Sequence, residues 1–193
     1  MFTNHCLRRF HWSTSHCKKN KRCLNVIDRL FSVGASEPQL AVKILFGSQT
    51  GTSQYFATQL ADTIASSSNI SSVVVSGLHE ASPEKLLGFD QSNQEHKSED
   101  ALIFLLSCFG PGQPTDNAKP FFEWLNSNNE TVKTLINNRK YAVFGLGNSR
   151  AHAQYYNIVG KSADKRLEEL GGKRLHSLGL GDDAECIEDD FDE

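Results

Sequence analysis

The chain has 193 residues, 38% hydrophobic and 22% charged, which suits one globular domain with an ordinary core. Seven Lys/Arg and two Asp/Glu fall in residues 1–40, against 13 and 21 in residues 41–193, so a basic head precedes an acidic body. The acidic body argues against nucleic-acid binding, which sets positive charge against phosphate, and no apolar run reaches the ~18 residues that predict a membrane span.

The head, "MFTNHCLRRFHWSTSHCKKNKRCLNV", has no acid before Asp28. Its Arg, Lys, Ser and Thr, with Phe2, Leu7 and Phe10 between them, resemble an organelle transit peptide. Arg8, Phe10 and Ser13 resemble a mitochondrial processing pattern; a disordered basic tail is the other reading. Either way residues 1–40 form an extension, and the expected domain is 41–193. Five cysteines, at 6, 17, 23, 108 and 186, form no CxxC pair and fit neither a disulfide framework nor a zinc site. An intracellular setting is expected, mitochondrial if the head is an address and otherwise cytoplasmic.

From Ala41 short apolar runs alternate with longer amphipathic ones. "AVKILF" (41–46) predicts a buried strand, and 54–66, with Phe56, Leu60 and Ile64 four apart, a helix. "SSVVVSGL" (71–78) is a second strand, and "SPEKLLGF" (82–89) opens like a helix. The polar run 90–100 predicts a surface loop, and "ALIFLLS" (101–107) a third strand. Helical stretches are expected at 117–126 and 131–137, then a fourth strand, "KYAVFGL" (140–146). Residues 157–171 predict a helix with Ile158, Ala163, Leu167 and Leu170 inward, and "KRLHSLGL" (173–180) a fifth strand. This alternation predicts an α/β fold, a parallel sheet covered on both faces. Such sheets bind ligands beyond the C-terminal strand ends where the strand order reverses.

The loop after the first strand, "GSQTGTSQ" (47–54), offers hydroxyls at Ser48, Thr50, Thr52 and Ser53, a pliable Gly51, and a following helix start. Free amides and the positive dipole end make that a phosphate site. No Lys or Arg occurs from 44 to 84, so the loop lacks the lysine of a nucleotide triphosphatase; it also lacks a GxGxxG. A functionless Ser/Thr-rich cap is the bland alternative. After the third strand comes "SCFGPGQPTDNAKPFFEWL", with Phe109 at a strand end. After the fourth comes "GLGNSRAHAQYYN", with His152, Tyr155 and Tyr156. Two aromatic loops beside a phosphate loop suggest a flat ring held between them.

"FGSQTGTSQYFATQLA", "PTDNAKPFFEWL", "YAVFGLGN", "NIVGKSADKRLEELGGKRLHSLGLGDD" and "IEDDF" together resemble the FMN-binding domain of diflavin reductases, nearest to NADPH–hemoprotein reductase. The resemblance covers about 41–191 and implies a flavodoxin-like, doubly wound, five-stranded parallel sheet of order 2-1-3-4-5. By position it implies that Ser48, Gln49, Thr50, Gly51, Thr52 and Ser53 hold the FMN phosphate. Ser107, Cys108, Phe109 and Gly110 would run beside the ring, with Phe109 where the family has a stacking tyrosine. Leu146, Gly147, Asn148, His152, Tyr155, Tyr156 and Asn157 would form the other wall, with Asp183 near the flavin. No catalytic acid, base or nucleophile and no metal is implied.

Three departures stand out. The family has Thr-Tyr-Gly-Glu-Gly-Asp where this chain has Cys108, Phe109, Gly110, Pro111, Gly112 and Gln113. The segment after "GLGN" is two residues longer, which puts Ala151 or Ala153 where the second stacking tyrosine stands; His152, Tyr155 or Tyr156 is expected to substitute, His152 before the others. The family also continues into an FAD- and NADPH-binding module, expected here as a partner in cis or in trans.

The implied function is one-electron carriage from that module to a haem protein. The last 13 residues hold eight acids, read either as a solvated tail or as a docking patch for a basic partner face. Two rival readings are a flavodoxin-shaped interaction module without FMN, and the flavodoxin part of a radical tRNA-modifying enzyme. The second needs a CxxxCxxC site, which this sequence lacks. Pro111 sits where the family's backbone adjusts to the flavin's redox state, and a proline there predicts a fixed loop.

Overall fold

The computed structural model describes residues 40–67, 69–88, 101–151 and 153–192. The basic head up to residue 39, the polar run 90–100 and His152 lie outside the described residues.

The strands are β1 (Leu40–Gly47), β2 (Ile70–Gly77), β3 (Ala101–Phe109), β4 (Gln113–Pro114), β5 (Lys140–Gly147), β6 (Lys173–Arg174) and β7 (Gly179–Asp182). The helices are α1 (Thr52–Ile64), α2 (Pro83–Leu86), α3 (Lys119–Leu125), α4 (Glu130–Ile136), α5 (Ile158–Glu169) and α6 (Ile187–Asp192), with a 3-10 turn at Ala153–Tyr155. The sheet runs β2-β1-β3-β5-β6, with β7 continuing along β5 and β4 folding back on β3. All pairs are parallel except β3–β4. Taking β6 and β7 together as the fifth strand, this is the flavodoxin-like order 2-1-3-4-5.

Alternation along each strand splits the core in two. Leu45, Leu102, Phe104, Leu106, Tyr141 and Val143 pack under α3, α4 and α5, against Phe121, Leu135, Ala163 and Leu167. Val42, Ile44, Phe46 and Leu105 face the other way, against Phe56, Ala57 and Ile64 of α1 and Ile187 of α6. Each fully buried Leu, Ile or Phe contributes about 1.5–3 kcal/mol by leaving water. Continuous apolar strands such as β3 are what a sheet buried on both faces requires.

Four local expectations change. The fifth strand is broken: β6 pairs with β5 at Lys140↔Lys173, whereas β7 pairs at Phe144↔Gly179. Residues 175–178 therefore bulge from an edge. Gly179 fits at the rejoining, because a Cβ there would meet the Phe144 ring. Ile158 is exposed rather than inward; Val159, Ala163 and Leu167, four apart, carry the inner face of α5. The helix expected at 82–89 is one turn, Pro83–Leu86, capped by Ser82 and closed before Gly88 with its positive φ. The acidic end is a helix whose Ile187 and Phe191 pack inward, with Phe191 at 4.7 Å from Phe56 and 5.1 Å from Phe144 between ring centroids.

Below the sheet, away from the C-terminal strand ends, the Arg174 guanidinium holds Asp164 through two 2.9 Å bonds and reaches Glu168. This clamp ties the short edge strand β6 to α5.

Candidate functional site

The strand order reverses between β1 and β3, and the C-terminal ends of β1, β3 and β5 open there into one groove of about 210 Å³. Its walls come from the loop after β1 (Gln49, Thr50, Thr52), the end of β3 (Ser107, Cys108, Phe109, Gly110) and the end of β5 (Leu146, Gly147, Asn148). Tyr155, Tyr156, Asp183 and Ile187 complete it. None of these lining residues is a cation and only Asp183 is an acid.

The first loop is tied down on itself and to the β3–α3 segment. Ser48 Oγ accepts from the Gly51 amide at 2.9 Å, and Ser53 and Ser107 share a hydroxyl bond at 2.6 Å. The Ser48 amide donates to Asn117 Oδ1 at 3.2 Å, which also accepts from the buried Thr115 hydroxyl at 2.6 Å. The Asp116 amide donates to Gln49 Oε1 at 3.2 Å. Gly47 permits this approach, since a Cβ there would stand 2.9 Å from Ala118 Cβ. No side chain caps α1, no acid occupies its first turn, and Gly51 enters it with φ of 96°. The hydroxyls of Thr50 and Thr52 lie 3.3 Å apart. First-turn amides that a helix leaves without internal partners therefore stand beside two groove hydroxyls.

The ring end is apolar. Phe109 is 47% exposed at the end of a strand whose other residues are buried or half-buried. Burial pushes the thiol of Cys108 beside it up, against weaker opposing backbone bonds. Across the groove the two tyrosines differ. Tyr156 is committed: its hydroxyl donates to the Leu180 carbonyl at 3.1 Å and Lys161 sits over its ring. The Tyr155 side chain packs on the turn after β3, where a Cβ on Gly112 would meet it at 3.0 Å. Tyr155 lines the same groove as Phe109.

Asn157 lies behind the wall. It is fully buried with φ of 54°, and its amide donates to the Gly181 carbonyl at 3.1 Å. Ser48, Gly51 and Ser53 shape the first loop without lining the groove. Asp183 lines it, receives the Asn148 side-chain amide at 3.3 Å, and donates its own amide to the Gly147 carbonyl at 2.8 Å.

Sequence reasoning missed Thr115, Asn117, Asp182 and Ile187. The first two stand in "PTDNA", a segment whose polar run before a helix was itself a signal. Asp182 joins the wall loop to β7: its carboxylate accepts from the Ser149 amide at 2.9 Å and the Ala184 amide at 3.0 Å. Burial opposes its charge, but the Ser149 and Ala184 bonds and the Arg150 charge hold its pKa below the ordinary value. Asp183, Glu185 and Asp190 are the other charges nearby. A depressed folded pKa means that the clamp's stabilisation is present above the unfolded value, ~3.9, and lost as pH falls through the folded one. Thermal melts from pH 7 to 3 should therefore show the wild type losing stability below pH ~4 more steeply than Asp182→Asn. Equal slopes would remove Asp182 from this role.

The residues present fit FMN. Uncapped amides and hydroxyls suit one phosphate, and the apolar faces of Phe109 and Tyr155 suit a flat ring. Among the described residues no group of His, Cys, Asp and Glu could hold a metal ion, and no helix is long and apolar enough to cross a membrane.

The flavodoxin family matches residues 44–193, and the chain belongs to it. Within that family it is an FMN-binding domain akin to that of NADPH–cytochrome P450 reductases. It is 36% identical to NADPH–cytochrome P450 reductase of Bos taurus over 86% of this chain and 23% of the relative. The human protein is 37% identical over 77% of this chain and 20% of the relative, and that of Dictyostelium discoideum 39% over 78% and 20%. The chain spans about a fifth of the length of these curated relatives. The cofactor is FMN, and the domain's homology implies electron transfer.

Proposed function

We propose that this domain carries electrons singly from an FAD- and NADPH-binding reductase module to a haem-protein acceptor. FMN, when bound, supplies the chemistry: it exchanges electrons one or two at a time. The chain's residues do the rest. The loop of Ser48, Gln49, Thr50, Gly51, Thr52 and Ser53, braced by Asn117, holds the phosphate with neutral donors. Phe109 and Tyr155 hold the ring's faces, and Asp182 and Asp183 keep the wall loop in place. The half-exposed Phe109, beside a phosphate loop without cations, is the observation that carries this reading.

A groove with no cation and one acid makes the ring's surroundings unfavourable to added negative charge, which lowers the potential. The outward acids of α6, Glu188, Asp189 and Asp192, with Glu185, would meet a basic partner face. Residues 1–40 would serve as a mitochondrial address, which a fluorescent fusion of that segment tests.

The direct test is reduction of the FMN-loaded protein by NADPH with and without an added reductase module, followed by electron delivery to a haem protein. Reduction only with the module, and delivery slowed by salt, are expected. Failure of the module to reduce the domain, or rates indifferent to salt, would overturn the electron-carriage reading and the docking patch respectively.

A further inference from the structure

The loop after β1 is clasped from outside the groove. The hairpin of β3 and β4 hands the chain on to Thr115, Asp116 and Asn117, since Pro114 pairs with Cys108. These three residues turn tightly into α3, and the Thr115 carbonyl accepts from the Ala118 and Lys119 amides at 2.8 and 3.1 Å. Two rungs run from this turn to the loop. In the inner rung Asn117 Oδ1 accepts from the Ser48 amide at 3.2 Å and from the Thr115 hydroxyl at 2.6 Å. Thr115 is fully buried, and Gly47 leaves its hydroxyl room, because a Cβ there would stand 3.2 Å away. In the outer rung the Gln49 side chain meets Asp116 twice. Its oxygen accepts from the Asp116 amide at 3.2 Å, and its nitrogen reaches the carboxylate at 3.5 Å. Lys119 Nζ lies 2.6 Å from that carboxylate, and Lys119 does not line the groove.

A groove lined by no cation has to hold an anion by geometry. An ammonium attracts a phosphate as a point charge, whereas a neutral N–H or O–H weakens steeply as its angle departs from linear. Neutral donors therefore bind best when their directions are fixed before the ligand arrives. The clasp does this: its two rungs hold Ser48 and Gln49, where the chain leaves β1 and enters the loop. Thr115, Asp116 and Asn117 themselves do not line the groove. We propose that Thr115 and Asn117, with Asp116 outside them, are positioning residues that set the groove's preference for a flavin bearing a phosphate over one ending in a free hydroxyl. They act through the loop, so their effect falls on the phosphate end alone. This rests on the flavin reading of the groove.

The test titrates the flavin-free 193-residue chain with FMN and with riboflavin, read by flavin fluorescence, for the wild type, Asn117→Ala, Thr115→Val and Thr115→Ser. Valine keeps the shape of Thr115 without its hydroxyl, and serine keeps the hydroxyl. The expected result is FMN binding about fivefold weaker in Asn117→Ala and Thr115→Val, the worth of one ordinary hydrogen bond, with riboflavin binding within about twofold of wild type. Thr115→Ser should match the wild type for both ligands. A loss that falls equally on FMN and riboflavin would overturn the inference, as would FMN binding unchanged in both variants. If Asn117→Ala does not fold, the Thr115 pair decides by the same criteria. Wild-type protein that binds FMN no better than riboflavin would overturn the inference and leave the flavin reading standing. Protein that binds neither would overturn both, so the two failures are distinguishable.

Discussion

Phe109→Ala is expected to weaken FMN binding by about 5- to 30-fold and to leave the fold intact. The ring stands at the C-terminal end of β3, about half exposed, whereas Leu105 and Leu106 on the same strand are buried. Such exposure means that Phe109 contributes little to the core, so its loss should barely move the melting temperature. What it offers is a flat apolar face toward the groove. A stacked aromatic pair adds about 0.5–1.5 kcal/mol beyond area burial, and the covered area brings the sum to about 1–2 kcal/mol. Fluorescence titration reads this directly, since bound flavin is quenched by a stacked ring. Phe109→Tyr should retain the affinity. Wild-type affinity in the alanine variant would show that the ring sits elsewhere.

Phe191→Ala should do the opposite: destabilise the fold by about 2–3 kcal/mol with a smaller effect on FMN affinity. The residue lies in the acidic end of the chain, which its charge alone would place in solvent. Instead its ring packs against Phe56 of α1 and Phe144 of β5, and the neighbouring Asp190 accepts the Asp182 amide at 2.8 Å. Truncating a large, mostly covered aromatic costs about 3–5 kcal/mol when fully buried, and less at this half-buried site. For a domain of this size that lowers the melting temperature by about 5–10 °C. Calorimetry checks it, and an unchanged melting temperature would return this segment to the status of a solvated tail.

These two residues show what the sequence made legible. Phe109 was visible because local order exposes it: an apolar run, then an aromatic with no periodic partner, then a glycine-rich turn. The order of the sheet was visible for a similar reason, since strands such as 101–107 are apolar throughout and the segments between them carry helical spacing. Phe191 was hidden because its partners lie some 50 and 135 residues away along the chain. Asn117 was hidden in the same way, as its bond to Ser48 spans 69 residues. Ile158 misled because periodicity alone does not say where a helix begins to face its sheet; the left-handed Asn157 turns the first residue of α5 toward the hairpin instead. The edge sequence likewise does not announce that the fifth strand rejoins at Gly179, under the Phe144 ring of a neighbouring strand.

The central claim is that the groove between the ends of β1, β3 and β5 is an FMN site. The most direct measurement is the absorption spectrum of the purified 193-residue chain, with acid extraction and quantification of its flavin. The account predicts a yellow protein that yields FMN at about one molecule per chain, or takes it up to that ratio when FMN is added. A folded protein that carries no flavin and binds none at micromolar concentration would contradict it, and would leave a flavodoxin fold serving as an interaction module.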